Sequence, residues 1–492
     1  MTPAETGLDL LAVEAFTYSP SLETTCEVCL RYADQGLRVG FAFLDIENVD
    51  QFPIGFDSRI GALMYRAGRR SRMARVRAIE EILRSRGVSV ITMTKSARPN
   101  RRLTCARAGI SSVEALRGFR HQDAALGLGV LSSLIRHTQD SNPDFAVSRP
   151  VADRLLDSAY QAFTLTQELI AEYKPDSVLI FNGRFGVAKG ISEAARIAGV
   201  RRLFHELVST HDRFYLSDFP IHNVPNTRKD LAESWASAPE GRELVAAQYF
   251  TRDRGGIALF ETQFMGHQQR CHNVPDTGRR RIAYFMSSID EFAAVEDGFE
   301  NPLFESQHAA VEWLASWVRE RRDCELVIRM HPRMGLLADR EQAWWDSLAA
   351  VNVLVLEPSS PVDSYELAAS AARVVCYHSS MGVEASYAGK VSILVGDADY
   401  CGLDCVYEPG TVDELSRMLM DEALTPKPQR NCLPFGYQRL MRGDKFAFYE
   451  PHSFQEGSFF GRRIPSASER SISERIVTRI LRGLAKKRAT RV

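Results

Sequence analysis

The sequence has few cysteines that lie close together. Of its nine cysteines, only Cys26/Cys29 and Cys401/Cys405 are near neighbours in the chain, and neither pair has a matching second pair that would complete a four-ligand zinc site. The others are scattered without the regular spacing of a disulfide framework. We therefore expect reduced, mostly buried thiols, as in a cytosolic protein, and no bound metal.

Long apolar runs and a leader-like start are also missing. No stretch reaches the roughly 18 consecutive apolar residues that a membrane-spanning helix needs. The first residues, MTPAETGLDLLAVEAF, have neither the basic region nor the apolar core of a signal peptide. From both absences we expect a protein that stays in the cytoplasm.

The chain has little net charge and no internal repeat or low-complexity segment. Its 61 Lys and Arg residues nearly balance 62 Asp and Glu residues, which gives a formal net charge of -1 and no overall field that would favour nucleic acid as a partner. The 492 residues, of which 45% are hydrophobic, are enough for two domains of about 200 residues each.

What the sequence does contain is an alternation of strand and helix patterns in two series. The strand patterns of the first series cover 10–16, 38–45, 87–93, 176–184 and 201–207, and a basic helical pattern covers 58–86. A turn-rich segment at 267–281 is predicted to be a linker. The strand patterns of the second series cover 281–288, 325–332, 351–358, 373–380 and 391–396. Such alternation predicts parallel sheets covered on both faces, here in two Rossmann-like domains that face a central cleft.

The predicted domains are 1–265 and 280–450, followed by a helical tail at 451–492. Within the tail, Ile472, Ile476, Ile480 and Leu484 form one apolar stripe, and residues 470–492 contain eight Lys and Arg residues against one Glu. A basic amphipathic helix of this kind binds anionic membrane surfaces, although a helix that packs back on its own domain has the same pattern.

Polar residues follow the predicted strands of the second series, where ligands bind in open parallel sheets. In HSSMGVE, Ser379 and Ser380 can cap a helix and donate to a phosphate, Gly382 permits a close backbone approach, and Glu384 can accept bonds from ribose hydroxyls. A serine-capped helix whose glutamate complements the helix dipole explains the motif equally well.

Two further motifs end strands of the same predicted sheet. In VIRMHP, Arg329 and His331 are two residues apart and share one face of an extended chain, and together they suit a diphosphate or a phosphate-carboxylate ligand. A structural histidine is the alternative, but the convergence of this motif with HSSMGVE favours binding. SSIDEF brings Ser288 and Asp290 to the end of the first strand, although it is also an ordinary helix start.

The first series contributes FNGR and FHEL. Asn182 and Arg184 offer hydrogen bonds to hydroxyls or to a carboxylate, and Glu206 is a candidate general acid/base whose pKa burial would raise. A salt bridge between Glu206 and an arginine is the structural alternative. GDADY (396–400) has a DxD-like pattern, but it lies in a loop after the last strand, so we predict no metal there.

In their order and spacing, FNGR, FHEL, SSIDEF, RMHP and the segment 364–400 resemble bacterial capsule-polysaccharide biosynthesis transferases, especially the retaining β-Kdo transferases that use CMP-Kdo. The resemblance covers about residues 176–410 and implies the GT-B fold of many glycosyltransferases. The His-Pro and Ser-Ser elements are also similar to those of bacterial sialyltransferases. The resemblance to the capsule-polysaccharide transferases implies an acceptor domain at 1–265 and a donor domain at 280–450. It also implies a nucleotide-sugar donor, a glycan or glycolipid acceptor, and no metal or other cofactor.

The resemblance also implies residue roles. His331, Ser379 and Ser380, with Gly382 beside them, would hold the CMP phosphate, and Glu384 would contact the ribose.

Arg329 would help at the phosphate or hold the sugar carboxylate. Asp290 would be the nucleophile of a double displacement and Glu206 the acid/base, while Asn182, Arg184 and Ser288 would contact the sugar or acceptor. Three alternatives stay open: inverting transfer with Glu206 as the sole base, a UDP-sugar 2-epimerase, and a non-catalytic nucleotide-binding scaffold of a capsule export complex.

Overall fold

The computed structural model describes residues 7–52, 54, 58–92, 109–251, 259, 273–289, 303–335 and 337–466. The chain divides into two compact units. The first unit contains residues 1–138, 142–222 and 443–492, and the second unit contains residues 139–141 and 223–442.

Strands and helices alternate through both units. The strands are β1 (Leu10–Glu14), β2 (Val39–Phe43), β3 (Ser89–Ile91), β4 (Ser177–Phe181), β5 (Arg201–Leu207), β6 (Arg213–Ser217), β7 (Arg280–Phe285), β8 (Cys324–Arg329), β9 (Val353–Leu356), β10 (Arg373–Cys376), β11 (Ser392–Leu394), β12 (Asp444–Lys445), β13 (Tyr449–Pro451), β14 (Gly457–Phe459) and β15 (Arg462–Arg463). The helices are α1 (Ser21–Asp34), α2 (Ser58–Ala67), α3 (Arg69–Ser85), α4 (Val113–Arg117), α5 (Leu126–Thr138), α6 (Phe145–Tyr173), α7 (Gly186–Ile197), α8 (Val224–Ser237), α9 (Arg242–Tyr249), α10 (Gln307–Arg319), α11 (Asp339–Ser347), α12 (Ser364–Ser370), α13 (Met381–Tyr387), α14 (Val412–Met420) and α15 (Leu433–Met441).

The first unit is built on a seven-stranded sheet with the order β12-β6-β5-β4-β1-β2-β3. Strands β1 to β5 are parallel, whereas β6 and β12 are antiparallel to their neighbours. All residues of β1 and β4 are buried, because helices cover both faces, and this is why these strands are continuous apolar runs without alternation. The predicted strand patterns of the first series are confirmed as β1 to β5.

The second unit has a five-stranded parallel sheet with the order β11-β10-β7-β8-β9. Every strand pattern of the second series lies in this sheet. The predicted fold class, α/β with parallel sheets in two Rossmann-like units, is therefore confirmed. The basic helical pattern at 58–86 is two helices, α2 and α3, which are separated by Gly68, since glycine is a poor helix former.

The units divide the chain at other places than the predicted boundaries at 265–280 and 450. Helices α8 and α9 belong to the second unit, where both pack against α15. Trp235 contacts Tyr437, and Tyr249 contacts Phe435, through edge-to-face ring pairs. The alternation of strands and helices does not reveal this division, because α8 and α9 follow β6 without a change in composition.

Residues 443–466 return to the first unit and add β12 to the edge of its sheet. The predicted tail thus begins with structure that belongs to this unit, since β13, β14 and β15 form a small antiparallel sheet. The buried carboxylate of Glu27 on α1 accepts hydrogen bonds from the backbone N–H groups of Ala447 (2.7 Å), Phe448 (2.9 Å) and Tyr449 (2.9 Å). Arg31 donates to the same carboxylate at 2.7 Å.

Residues 467–492, with the predicted basic amphipathic helix, lie outside the described residues. The first part of the predicted linker, 267–272, does as well. In the described ranges, no helix combines the length and the apolar character that a bilayer crossing requires.

Candidate functional site

The seven-stranded and the five-stranded sheet each have one topological switch point, where successive strands stop being added on one side of the sheet and are added on the other. In the second unit, β8 and β9 are added on one side of β7, and β10 and β11 on the other, so the switch lies between β7 and β10. In the first unit it lies between β1 and β4. Ligands of open parallel sheets bind beside such switches, at the carboxyl ends of the strands. Most of the predicted site residues lie at these two switches.

Ser287 and Ser288 follow β7 at the second-unit switch, and both side chains are buried. Gln307 at the start of α10 fixes this turn: its Oε1 accepts from the N–H of Ser287 at 2.8 Å, and its Nε2 donates to the carbonyl oxygen of Ser287 at 3.2 Å. The Oγ of Ser287 is buried and has no hydrogen-bond partner among the described residues. Asp290, the predicted nucleophile, lies outside the described residues.

Ser379 and Ser380 follow β10 on the other side of the switch, and both are partly exposed. The two hydroxyls differ in their bonding. Ser380 Oγ donates to Glu384 Oε1 at 2.9 Å, so its hydrogen is already engaged. Ser379 Oγ accepts from the N–H of Met381 at 3.3 Å, which leaves its own hydrogen to donate. Ser379 is therefore the better phosphate donor of the pair.

Glu384 has an internal role in the structure. Its side chain is 7% exposed, and it also accepts hydrogen bonds from the hydroxyls of Tyr365 (2.7 Å) and Tyr249 (3.2 Å). The predicted ribose contact would have to compete with these bonds. The helix that carries Glu384, α13, has seven residues.

The absence of a side chain at Gly382 serves packing. A Cβ atom there would lie 2.6 Å from the hydroxyl oxygen of Tyr400, which donates to the carbonyl oxygen of Ser379 at 2.7 Å. This contact, rather than a ligand, explains why glycine follows the two serines.

Gly382→Ala is therefore expected to destabilise the protein by about 1–3 kcal/mol, because Tyr400 must move and lose its bond to Ser379. In a Tyr400→Phe background the atoms nearest to the new Cβ would be the Sγ of Cys376 and the ring carbon of residue 400, both at 3.4 Å. Gly382→Ala should therefore reduce the free energy of unfolding by about 1 kcal/mol less in that background than in the wild type. Chemical denaturation of the four proteins measures this coupling. Purely additive effects would contradict the contact.

Arg329 ends β8 as predicted, but its side chain contacts the backbone of the loop after β9. Its side chain is 2% exposed, and its guanidinium donates to the carbonyl oxygens of Glu357 (3.3 Å), Ser360 (2.9 Å) and Val362 (3.1 Å). Burial lowers the pKa of Arg329 to about 10, partly offset by Asp363. Arg329 thus holds the loop after β9. These bonds take the place of the predicted contact between Arg329 and a phosphate or carboxylate.

His331 lies at the end of β8, where it is partly exposed and caps the short 3₁₀ helix Pro332–Met334. Its Nδ1 accepts from the N–H of Arg333 at 3.2 Å. A neutral imidazole that accepts at Nδ1 carries its proton on Nε2, so Nε2 is a donor. His331 therefore carries an N–H donor just after β8, and its predicted contact with a phosphate stays a prediction.

His378, which sequence reasoning did not select, lies beside the two serines. Its Nδ1 makes a short hydrogen bond with the carbonyl oxygen of Asp397, so Nδ1 is the donor. Asp397 itself is paired with Arg228, and Gly396 packs against Tyr377, where a Cβ atom would lie 2.0 Å from the carbonyl oxygen. The GDADY segment thus braces the loop after β10. Among the described residues, no cluster of three potential metal ligands occurs.

Asn182 and Glu206 lie together in the first unit, at the ends of β4 and β5. Asn182 has a left-handed backbone (φ 61°), which asparagine tolerates, and its Oδ1 accepts from the N–H of Arg184 at 3.1 Å. This turn directs its Nδ2 to Glu206 Oε2 in a short hydrogen bond. Glu206 also accepts from the N–H of Leu207 at 2.9 Å.

The environment of Glu206 suits proton transfer. Burial raises the pKa of Glu206, whereas Asn182, the Leu207 N–H and the charge of Arg184 oppose that rise. Its side chain remains partly exposed. Arg184 lies with its guanidinium carbon 4.6 Å from the ring centre of Phe185. The direct side-chain partner of Glu206 is the amide of Asn182, and Arg184 acts on Glu206 through its charge.

Glu14, Thr25 and His205 are three residues of this site that sequence reasoning did not assign. Glu14 ends β1 on the other side of the first-unit switch, and the charge of Glu206 helps to raise its pKa. A run of apolar residues that ends in an acid was the available signal for Glu14. The sequence has no comparable signal for Thr25, which lies within a helix.

No protein-family model matches this chain, and no curated protein matches it. Several solved structures are similar to it. KpsC of Thermosulfurimonas dismutans, a β-Kdo 2,4 transferase, is 14% identical with a TM-score of 0.35 over 53% of this chain and 78% of that chain. The β-Kdo 2,7 transferase of the same KpsC is 13% identical with a TM-score of 0.34 over 65% and 89%. MnaA of S. aureus, solved with UDP, is 10% identical with a TM-score of 0.29 over 88% and 94%. At these values the function must be inferred from the residues of the chain itself.

Proposed function

We propose that this protein is a glycosyltransferase that moves Kdo or a related nonulosonic acid from a CMP-activated donor to a capsule- or lipopolysaccharide-type glycan. The observation that carries the proposal is a set of hydrogen-bond donors after three neighbouring strands of the second-unit sheet. These donors are Ser287 and Ser288 after β7, His331 after β8, and Ser379 after β10.

The character of this group supports an anionic ligand. His331 Nε2 and the Ser379 hydroxyl are donors, as phosphate oxygens require. The carboxylate of Glu384, which would repel a phosphate, is buried and accepts three hydroxyl bonds. Because Arg329 is committed to its loop, the His331 imidazole and the serine hydroxyls are the groups with which the site would hold a nucleotide phosphate.

The proposed chemistry is a double displacement. Asp290 would attack the anomeric carbon as its bond to the CMP phosphate breaks, so CMP leaves and a glycosyl ester forms. An acceptor hydroxyl would then replace Asp290 while Glu206 takes the hydroxyl proton. The partly exposed, amide-held carboxylate of Glu206, with its raised pKa, supports the second role. Asn182, Arg184 and Ser288 are proposed to contact the sugar or acceptor.

Nucleotide binding is the first test. CMP should raise the melting temperature, since a ligand at 100 times its Kd adds about 2.7 kcal/mol, whereas UDP should have little effect. Stabilisation by UDP but not by CMP would favour a UDP-sugar 2-epimerase and overturn the CMP proposal. With CMP bound, the anomeric configuration of the product separates retaining transfer from inverting transfer with Glu206 as the sole base.

His331→Asn is the matched variant for this test. An asparagine Oδ1 can still accept from the N–H of Arg333, so the 3₁₀ turn is kept while the Nε2 donor is removed. We expect CMP binding to weaken by about 10- to 100-fold, as for the loss of one hydrogen bond to a charged group. His452→Ala, at an exposed histidine of the first unit, is the control. Unchanged CMP affinity in His331→Asn would exclude His331 from the phosphate site.

A further inference from the structure

A buried chain of hydrogen bonds joins β1 to β5 in the first unit. Thr25 Oγ1 on α1 lies 2.8 Å from Glu14 Oε2 and 2.9 Å from His205 Nε2. Each of the three residues is 1% exposed. The other carboxylate oxygen, Glu14 Oε1, accepts from the N–H groups of Ala15 and Phe16, both at 2.8 Å. Every oxygen of Glu14 is thus committed, and bulk water does not reach the chain.

The number of hydrogens fixes the direction of these bonds. An ionised Glu14 can only accept, and at 2.8 Å it is a nearer acceptor for the Thr25 hydroxyl than the Ser21 carbonyl oxygen at 3.3 Å. Thr25 therefore gives its single hydroxyl hydrogen to Glu14 and must accept from His205. His205 then carries its proton on Nε2. Its Nδ1 is left as a buried acceptor without a partner among the described residues. When Glu14 is protonated, both bonds reverse, and the ring proton of His205 moves to Nδ1.

We propose that His205, Thr25 and Glu14 form a proton relay that takes up a proton at Nδ1 of His205 and holds it on Glu14. One proton bonds to Nδ1, the Nε2 proton passes to Thr25 Oγ1, and the hydroxyl proton of Thr25 passes to Glu14 Oε2. His205 is neutral before and after, and Glu14 changes from carboxylate to carboxylic acid. No electron transfer is involved.

The electrostatics of the site support such a relay. Burial, with the like charge of Glu206 on β5, raises the pKa of Glu14 to about 7, against the three hydrogen bonds that favour its charged form. Burial lowers the pKa of His205 to about 3, so the ring changes tautomer rather than becoming an imidazolium. On α1, the other titratable group that faces Glu14 is Cys29, whose pKa is raised by burial and by the charge of Glu14.

The charge of Glu206 helps to raise the pKa of Glu14, which links the relay to the proposed acid/base. Any use of that link in a transfer reaction rests on the proposed function. The relay itself does not, because its tautomers are observable in the resting protein.

Nitrogen NMR of the full chain with ¹⁵N-labelled histidine tests the proposal. The sequence has 11 histidines, and comparison with His205→Gln identifies the His205 signals. Between about pH 5.5 and about pH 8.5, we expect the His205 proton to move from Nδ1 to Nε2, with a midpoint near the pKa of Glu14, about 7. Below that pH the protonated Glu14 donates to Thr25, and Thr25 donates to Nε2 of His205. Above it Nε2 of His205 donates to Thr25, and Thr25 donates to Glu14.

The variants separate the relay from a merely structural role. In Glu14→Gln the amide oxygen must accept from Ala15 and Phe16, so the amide NH₂ faces Thr25 and should keep the His205 proton on Nδ1 at every pH. Thr25→Ser should retain the change of tautomer and Thr25→Val should abolish it. Glu206→Gln should lower the midpoint, because it removes a like charge.

A single His205 tautomer across the pH range in the wild type would overturn the relay, as would a pH-dependent change that persists in Glu14→Gln. If Glu14→Gln fails to fold, persistence of the change in Thr25→Val overturns the relay instead. These outcomes are independent of the proposed function. If the tautomer changes as expected but CMP does not bind, the relay stands and the proposed function fails.

Discussion

Transfer by the Glu206→Gln variant should be slower by a factor of about 10² to 10⁴, which is the usual contribution of a general acid or base. The glutamine keeps the volume and one acceptor for Asn182, so the turn at β4 should persist. CMP release in the presence of acceptor measures the rate. Glu172→Gln, at an exposed carboxylate of α6, is the control and should be fully active. Wild-type rates in Glu206→Gln would remove Glu206 from the mechanism.

The pH dependence of the rate gives a second measure of the same role. Asn182 donates to the charged form of Glu206 and opposes the rise of its pKa. Removal of this donor in Asn182→Ala should raise that pKa further. Since a base acts in its deprotonated form, the acidic limb of the rate profile should move to higher pH. A shift to lower pH would contradict the assignment of Glu206 as the base.

Glu27→Gln should destabilise the first unit by about 3–5 kcal/mol, as expected when a buried charged group loses its partners. The carboxylate accepts from three backbone N–H groups and from Arg31. A glutamine NH₂ would instead face donors, with no water to replace the lost bonds. Chemical denaturation measures the free energy of unfolding, and proteolysis should cleave residues 443–466 first.

The control for Glu27 is Glu456→Gln. Glu456 forms an exposed ion pair with Arg463 at 3.2 Å, and such pairs contribute about 0–1 kcal/mol. Both variants remove one negative charge that contacts residues 443–466, so a difference between them isolates the buried bonds. A loss below about 1 kcal/mol in Glu27→Gln would show that these bonds do not hold the segment.

The sheets could be predicted from the sequence because parallel strands covered on both faces are continuous apolar runs. The carboxyl ends of those runs also indicated where a site would lie, and Asn182 and Glu206 do contact each other there. Side-chain direction could not be predicted. Arg329 ends its strand as expected but points to the loop at 357–362, and the partners of Glu384 include Tyr249, 135 residues away.

Other members of the first-unit site had no local signal. Thr25 and His205 are 180 residues apart, and each is unremarkable in its own segment. Only the pairing of β1, β4 and β5 brings α1, which carries Thr25, into contact with the strands that carry Glu14 and His205. The division of the chain at 222 and 442 was hidden for the same reason, since it depends on which distant helices pack together.

The return of residues 443–466 to the first unit has a consequence during translation. The backbone partners of Glu27 are made 420 residues after it, which at about 5–20 residues per second is about 20–80 seconds later. Residues 223–442 are synthesised within that interval. We therefore expect the second unit to fold on the nascent chain before the first is complete. In the first unit, α1 lacks the backbone partners of Glu27 until residues 447–449 have been synthesised.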